Sequence, residues 1–347
     1  MPNTATEKNL ARDRVVCLGY SLVFGMLGIG LLPGLIIPLE GVYGLTHTQM
    51  GKLLAAGAGL SCAAAIVLGT VADRRGVRSI LSVSMAVIAV SALAIWQVEV
   101  VALGIAALLL FQLAGSSYSV VNGLVFALYG AADACGLNLF HGLQSIGRLF
   151  APLLIVLVTI LTGTWQKVFL ISLLVHLWFV FLFLAVREPS HPEGQEPIPF
   201  RRMLQALVNR RLLLGMAAFT FLSGCEVTII TWLASFLERE AGFLQSQALI
   251  ALTIMMSGYT GIRLVLGFAK IKVGSRFVAA ALALNIVTYV LLVFVVKHLL
   301  VYISSACCLV YHSVHSGRAR QVFCSRNYAV VAGCCPASSG LVAPSAL

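Results

Sequence analysis

Apolar residues occur in long runs along almost the whole chain, and short polar stretches separate these runs. A helix needs about 20 apolar residues to cross the roughly 30 Å hydrocarbon core of a bilayer. The runs mostly lack the polar face that a helix of a soluble bundle would show. The pattern therefore predicts membrane-spanning helices in ten windows, which are residues 15–38, 50–72, 79–97, 100–129, 134–161, 166–186, 212–236, 246–269, 277–296 and 299–316.

The composition agrees with this prediction, since 60% of the 347 residues are hydrophobic and 10% are charged. Soluble chains carry roughly 25% charged residues. With a cytoplasmic N-terminus, seventeen Lys and Arg residues fall on the inner side and four on the outer side, namely Lys52, Lys167, Arg239 and Lys297. This asymmetry follows the positive-inside rule, so the net charge of +11 indicates topology and not nucleic-acid binding.

A polar, proline-containing segment, residues 187–211, divides the windows into two blocks. We interpret it as a cytoplasmic linker between an N-terminal six-helix bundle, residues 1–186, and an incomplete C-terminal bundle, residues 212–316. A related loop occurs in both blocks at an offset of 198 residues, since Gly69, Arg74, Gly76 and Arg78 correspond to Gly267, Lys272, Gly274 and Arg276. Such internal repeats are typical of secondary transporters.

The stretch GTVADRRGVR, residues 69–78, resembles the loop between the second and third helices of the major facilitator superfamily. Residues 138–154, 223–240 and 258–268 are similar to the fifth, seventh and eighth helices of fucose and glucose permease-like members. The resemblance implies an all-α membrane protein with two helical bundles and twelve helices. It also implies that the loop is a conformational latch, formed by Gly69, Asp73, Arg74, Gly76 and Arg78.

The residues of this loop suit a latch. Gly69 allows two helices to approach closely, Gly76 permits a tight turn, and Asp73 accepts hydrogen bonds from arginines or from free amide groups at a helix end. A positive-inside loop with an incidental Asp73 is the alternative.

One carboxylate, that of Glu226, lies deep inside an apolar window. It follows Arg211 by about 15 residues, or roughly 22 Å from the inner surface. A charge at that depth costs at least ~2.5 kcal/mol, so we expect Glu226 to face the bundle interior or an aqueous cavity and to be the leading functional residue. A protonated Glu226 with a structural hydrogen bond between helices is the alternative.

Polar residues also follow one face of the fifth predicted helix, where Asn138, His141, Ser145 and Arg148 recur at intervals of three and four. This stripe is typical of a cavity wall, although interhelical hydrogen bonding alone would also produce it. His141 is either a proton carrier or a neutral hydrogen-bonding group. Arg148, where the resembled family usually has a small residue, lies at nearly the depth of Glu226, and we hypothesise an ion pair between them across the two halves.

Two further polar stripes lie on the fourth and eighth predicted helices: Gln112, Ser116, Ser119 and Asn122, and Thr253, Ser257, Thr260 and Arg263. Because Ser and Thr often bond their own helix backbone, Gln112, Asn122 and Arg263 are the stronger candidates for the cavity. Trp232 either stacks on a sugar ring or is a packing residue.

The end of the chain departs from this pattern. After residue 297 cysteines become frequent, and nothing after Arg326 is apolar and long enough for further spans. We therefore expect about ten helices instead of twelve, followed by an atypical tail at residues 317–347. A truncated or frameshifted gene and a divergent natural tail both account for this end. The spacing of its Cys and His residues matches no zinc motif, so no metal or cofactor is predicted.

These features predict a secondary active transporter of a small, sugar-like polar solute, with proton-coupled uptake by alternating access. Proton-antiport efflux of a drug or siderophore is the nearest alternative, and an inactive truncated transporter is another. No catalytic motif is recognisable, so an enzyme is not expected. We expect a monomer in a bacterial inner membrane, with the N-terminus cytoplasmic, a solute and protons as partners, and no nucleic acid.

Overall fold

The computed structural model describes residues 4–97, 100–129, 134–187, 208–269 and 287, and most of these residues are helical. Within these ranges there is no strand. Six helical spans among them are long and apolar enough to cross a membrane: Glu7–Tyr43, His47–Arg75, Val77–Gln97, Val101–Tyr129, Leu139–Thr162 and Lys167–Ala185. The predicted spans 277–296 and 299–316 lie outside the described residues apart from Val287, and the tail 317–347 does so entirely.

The helices follow the predicted windows in order. The first span consists of α1, a π-helical segment and α2, and the fourth span consists of α5 and α6. The elements are α1 (Thr4–Val23), the π-helical segment (Phe24–Ile29), α2 (Leu31–Tyr43), α3 (His47–Arg75), α4 (Val77–Gln97), α5 (Val101–Gly115), α6 (Tyr118–Tyr129), α7 (Ala134–Thr162), α8 (Lys167–Ala185), α9 (Arg210–Arg239) and α10 (Gln245–Ala269).

Local sequence explains where α2 and α3 meet. Gly44 ends α2 in the left-handed conformation, with φ 62° and ψ 30°, which glycine adopts without steric cost. Thr46 then begins α3 with a capping box: its hydroxyl accepts the Gln49 N–H, and the Gln49 side chain accepts the Thr46 N–H. These signals allow the chain to reverse direction within a few residues.

The core of the first bundle is an aromatic cluster. Tyr118 stacks on Phe24 and on Phe140, with ring centroids 4.5 Å and 4.9 Å apart. Tyr20 lies beside this stack and contacts Phe179 and Phe183 of α8. The cluster joins four helical spans of the first bundle, because its members come from the first, fourth, fifth and sixth spans.

The first bundle packs against α9 and α10 at several places. α2 packs against α9, and α7 packs against α10. We name the ends of the bundle by their acidic residues. At the Glu40 end, α2 and α9 terminate while α3 and α10 begin; at the Asp73 end, α3 terminates and α4 begins.

Candidate functional site

Glu226 lies on α9 and is buried, with 6% of its surface exposed. Its Oε1 accepts a hydrogen bond from the Tyr259 hydroxyl of α10. The same oxygen lies 3.8 Å from Nη1 of Arg148 on α7. The structure thus brings together the two residues that depth alone had paired, across the boundary between the halves. We call Glu226, Arg148 and Tyr259 the central triad.

The central triad offsets the cost of burying a carboxylate. An isolated charge in an apolar interior is strongly destabilised, whereas a neighbouring cation and a hydroxyl donor stabilise it. The distance of 3.8 Å is longer than the roughly 2.7–2.9 Å of a charge-assisted hydrogen bond. Arg148 therefore attracts Glu226 electrostatically, and Tyr259 donates the hydrogen bond.

A further contact joins α7 to α10, one residue beyond Tyr259 on α10. The Thr260 hydroxyl donates to the backbone oxygen of Ser145, at 3.2 Å. Ser145 is one turn from Arg148 on α7, so both contacts lie on the same face of that helix. The α7–α10 boundary is thus polar at the level of the central triad.

His141 lies two turns from Arg148 on α7, about 10 Å along the helix axis. Its Nδ1 is 3.4 Å from the Tyr118 hydroxyl, which is in turn 3.3 Å from Ser21 Oγ. His141 therefore extends the polar face of α7 toward the aromatic cluster of the first bundle.

Gln112 and Asn122 occupy positions inside the first bundle. The Gln112 side chain packs against α3, since a Cβ added at Gly57 would lie 2.4 Å from its Nε2. Its backbone oxygen accepts the Ser61 hydroxyl at 2.7 Å. Gln112 Nε2 and Asn122 Oδ1 are buried and have no hydrogen-bond partner in the described part of the chain. The contact with Gly57 thus directs Gln112 toward α3 of its own bundle.

The remaining predicted site residues are placed as follows. Asn138 and Arg263 lie on α7 and α10, and their side chains are outside the described residues. Hydroxyls of the polar stripes bond their own helix backbone, as expected from their chemistry; these are Ser116, Ser119, Ser145, Thr253 and Ser257.

In the predicted latch loop, Gly76 ends α3 with φ 93°, a conformation that favours glycine, so the expected tight turn is present. Asp73, Arg74 and Arg78 are exposed at this end. A Cβ added at Gly69 would meet no atom of the described residues within 4 Å. The close approach of two helices at Gly69, and the role of this loop as a conformational latch, therefore remain predictions.

Tyr259 and three residues at the Glu40 end, namely Glu40, His47 and Arg239, are site residues that the sequence did not predict. Glu40 is buried and contacts both Arg239 and His47. The His47 ring also meets the ring of Trp232 edge-on at 4.7 Å, so Trp232 packs between the halves. An acidic residue at the end of an apolar run, here Glu40, is the signal that could have identified this group.

The comparisons with known proteins identify the family. The sequence pattern of the Major Facilitator Superfamily matches residues 16–317. The chain belongs to the major facilitator superfamily. This MFS protein is an integral multi-pass membrane protein and a secondary transporter of small solutes, with the two-bundle helical fold of its family.

A solved structure agrees with this assignment. The MFS transporter is similar in fold to a crystal structure of the human organic anion transporter MFSD10 (TETRAN), with a TM-score of 0.63 over 90% of this chain and 85% of that chain. The two sequences are 18% identical, so the similarity concerns the fold alone. A comparison with curated protein sequences finds no match to this MFS transporter.

Proposed function

We propose that this MFS transporter couples uptake of a small, sugar-like polar solute to protons, and that Glu226 carries the proton. The observation that supports the proposal is the buried carboxylate of Glu226, placed between Arg148 of one half and Tyr259 of the other. A protonatable group at a boundary between moving halves has a different environment in each conformation, which coupling requires.

The proposed step is a change in the attraction between α7 and α9. Two unit charges 3.8 Å apart attract by about 4 kcal/mol at an effective dielectric constant of about 20, before desolvation is counted. A proton on Glu226 removes this attraction. Tyr259 then bonds a neutral carboxyl group, and Arg148 becomes available to the solute. Release of the proton on the other side restores the pair and favours the unloaded conformation.

A second candidate solute is an organic anion, and the environment of Arg148 favours it. The Arg148 side chain is 17% exposed, and its guanidinium makes no hydrogen bond to another described residue. Arginine presents five N–H donors in a fork that matches a carboxylate. The structural neighbour MFSD10 is named an organic anion transporter. In this version the anion replaces Glu226 as the partner of Arg148 while Glu226 is protonated.

The test is solute accumulation in vesicles that contain the full chain, with a pH gradient of either direction or none. The solute panel contains neutral sugars, sugar acids and simple carboxylates. We expect Glu226→Gln to abolish gradient-driven accumulation while leaving solute exchange. The matched control is Glu238→Gln, a carboxylate on the same helix that lies outside the central triad.

The outcomes separate the alternatives. Loss of sugar-acid transport but retention of neutral-sugar transport in Arg148→Met would support the anion candidate. If the pH gradient instead drives the solute out of the vesicles against the proposed direction, the transporter is an efflux protein and not an uptake protein. Equal accumulation by the wild type and Glu226→Gln would remove Glu226 from the coupling step. Absence of any transport by the wild type across the panel would overturn the proposal.

A further inference from the structure

Three residues from three helices meet at the Glu40 end of the bundle. Glu40, in the last turn of α2, is 4% exposed. Its Oε2 accepts a hydrogen bond from the Arg239 guanidinium at the end of α9. Its Oε1 lies 2.7 Å from Nδ1 of His47 at the start of α3. Both oxygens of one buried carboxylate are therefore occupied, one from its own bundle and one from the other half.

The position of Glu40 is electrostatically unfavourable within its own helix. The C-terminal end of a helix carries a partial negative charge, which repels a carboxylate in the last turn. The same effect stabilises Arg239, because a cation at a helix C-terminus is favoured. Glu40 thus gains its stabilisation from outside α2, and separation of α2 from α9 would leave its carboxylate beside its helix end without the arginine.

His47 fixes the direction of the Glu40 carboxylate. An ionised carboxylate only accepts hydrogen bonds, so Nδ1 of His47 carries the hydrogen in this contact. The His47 ring is held in turn by Trp232 of α9, edge-on at 4.7 Å. Trp232 packs over α3, since a Cβ added at Gly51 would lie 3.6 Å from its ring. His47 is therefore placed to aim Glu40 at Arg239.

We propose that Glu40, His47 and Arg239 form an ionic latch that closes the Glu40 end of the transporter. Arg239 follows Glu226 by 13 residues on α9, a distance of about 20 Å along the helix. The latch and the central triad therefore act on the same helix at two levels. Access to the central triad from the Glu40 end requires Arg239 to leave Glu40. The positive-inside pattern places this end on the outer side, so the latch controls entry from outside.

The test measures access without any solute, so it stays independent of the proposed transport function. A reporter cysteine replaces Ser145 beside the central triad, in a chain whose native cysteines are alanine. Vesicles of both orientations are treated with a membrane-impermeant thiol reagent. We expect Glu40→Gln and Arg239→Gln to raise the rate of labelling from the Glu40 end at least threefold. The double reversal Glu40→Arg with Arg239→Glu should return the rate toward that of the parent.

Two further variants separate the ionic latch from ordinary packing. His47→Ala keeps the charges of Glu40 and Arg239 and should raise the labelling rate. His47→Asn keeps an N–H donor and should label at the rate of the parent. Glu240→Gln, which removes the neighbouring carboxylate outside the latch, should leave the rate unchanged. If Glu40→Gln lowers the yield of folded protein, His47→Ala provides the second measurement. Labelling at the parental rate in both Arg239→Gln and His47→Ala would overturn the latch.

Discussion

Gly147 on α7 offers a sharp test of the packing between the first and fifth spans. An alanine Cβ at this position would lie 2.1 Å from the Leu22 carbonyl oxygen and 2.7 Å from the Met26 amide nitrogen. A carbon and a carbonyl oxygen usually approach no closer than about 3.3 Å. The opposing atoms belong to the backbone, so they cannot rotate away. The two helices must instead separate by about 1 Å.

The expected cost follows from two opposing effects. Overpacking costs about 1–3 kcal/mol, and alanine regains up to about 1 kcal/mol of helix propensity. We expect Gly147→Ala to lower the free energy of unfolding by about 2 kcal/mol, which for a chain of 347 residues corresponds to a fall in Tm of roughly 3 °C. Thermal unfolding of the purified chain in detergent measures this change.

The control is Gly59→Ala on α3, where an added Cβ meets no described atom within 4 Å. It should leave Tm unchanged or raise it slightly, because only the propensity gain applies. Gly25→Ala should lower the stability as Gly147→Ala does, since its Cβ would lie 2.1 Å from the backbone carbonyl oxygen of Gln144. A Gly147→Ala protein as stable as Gly59→Ala would refute the close backbone approach.

Three further changes test other parts of the structure. Tyr259→Phe removes the donor to Glu226 and should shift the pH dependence of solute accumulation without abolishing it; an unchanged profile would exclude that contact from coupling. Thr46→Ala removes the cap of α3 and should cost about 1 kcal/mol in thermal unfolding, whereas Thr48→Ala should be neutral. Asp13→Asn weakens the contacts of the buried Asp13 with Arg12 and the Arg187 amide and should cost about 1–3 kcal/mol; Tm equal to that of exposed Glu7→Gln would contradict this.

The helical spans and the Arg148–Glu226 pairing were predictable because each follows from a large free-energy cost. Apolar runs must cross the bilayer, and two opposite charges at one depth stabilise each other more than either is stabilised by lipid. The depth of each residue could be counted along its helix from the polar flanks. The depth of a residue does not say how its helix is rotated about its axis, however. The structure was therefore needed to show that the two side chains face each other.

The other site residues could not be found in this way. Tyr259 resembles any packing aromatic in an apolar window, and its partner is distant in sequence. Arg239 was counted with the basic residues of the outer side because a charge at a helix end is ordinarily solvated. Glu40 lies two residues beyond the predicted window 15–38, and its position at the end of an apolar run is a signal without a partner in the sequence. Its burial depends on α9, and sequence spacing carries no information on that contact.

The π-helical segment Phe24–Ile29 lies between α1 and α2 in the first span. It sets the rotation of the α2 side chains about the helix axis relative to the side chains of α1. A π turn holds one residue more than an α turn, as an insertion would. Deletion of one residue there, with rewinding to an α-helix, would turn everything beyond it by about 100°. Glu40 would then rotate away from α9, while Tyr20 kept its place among the aromatic rings. The number of residues in this six-residue segment therefore decides whether the first span can pack in its own bundle through Tyr20 and also contact α9 through Glu40.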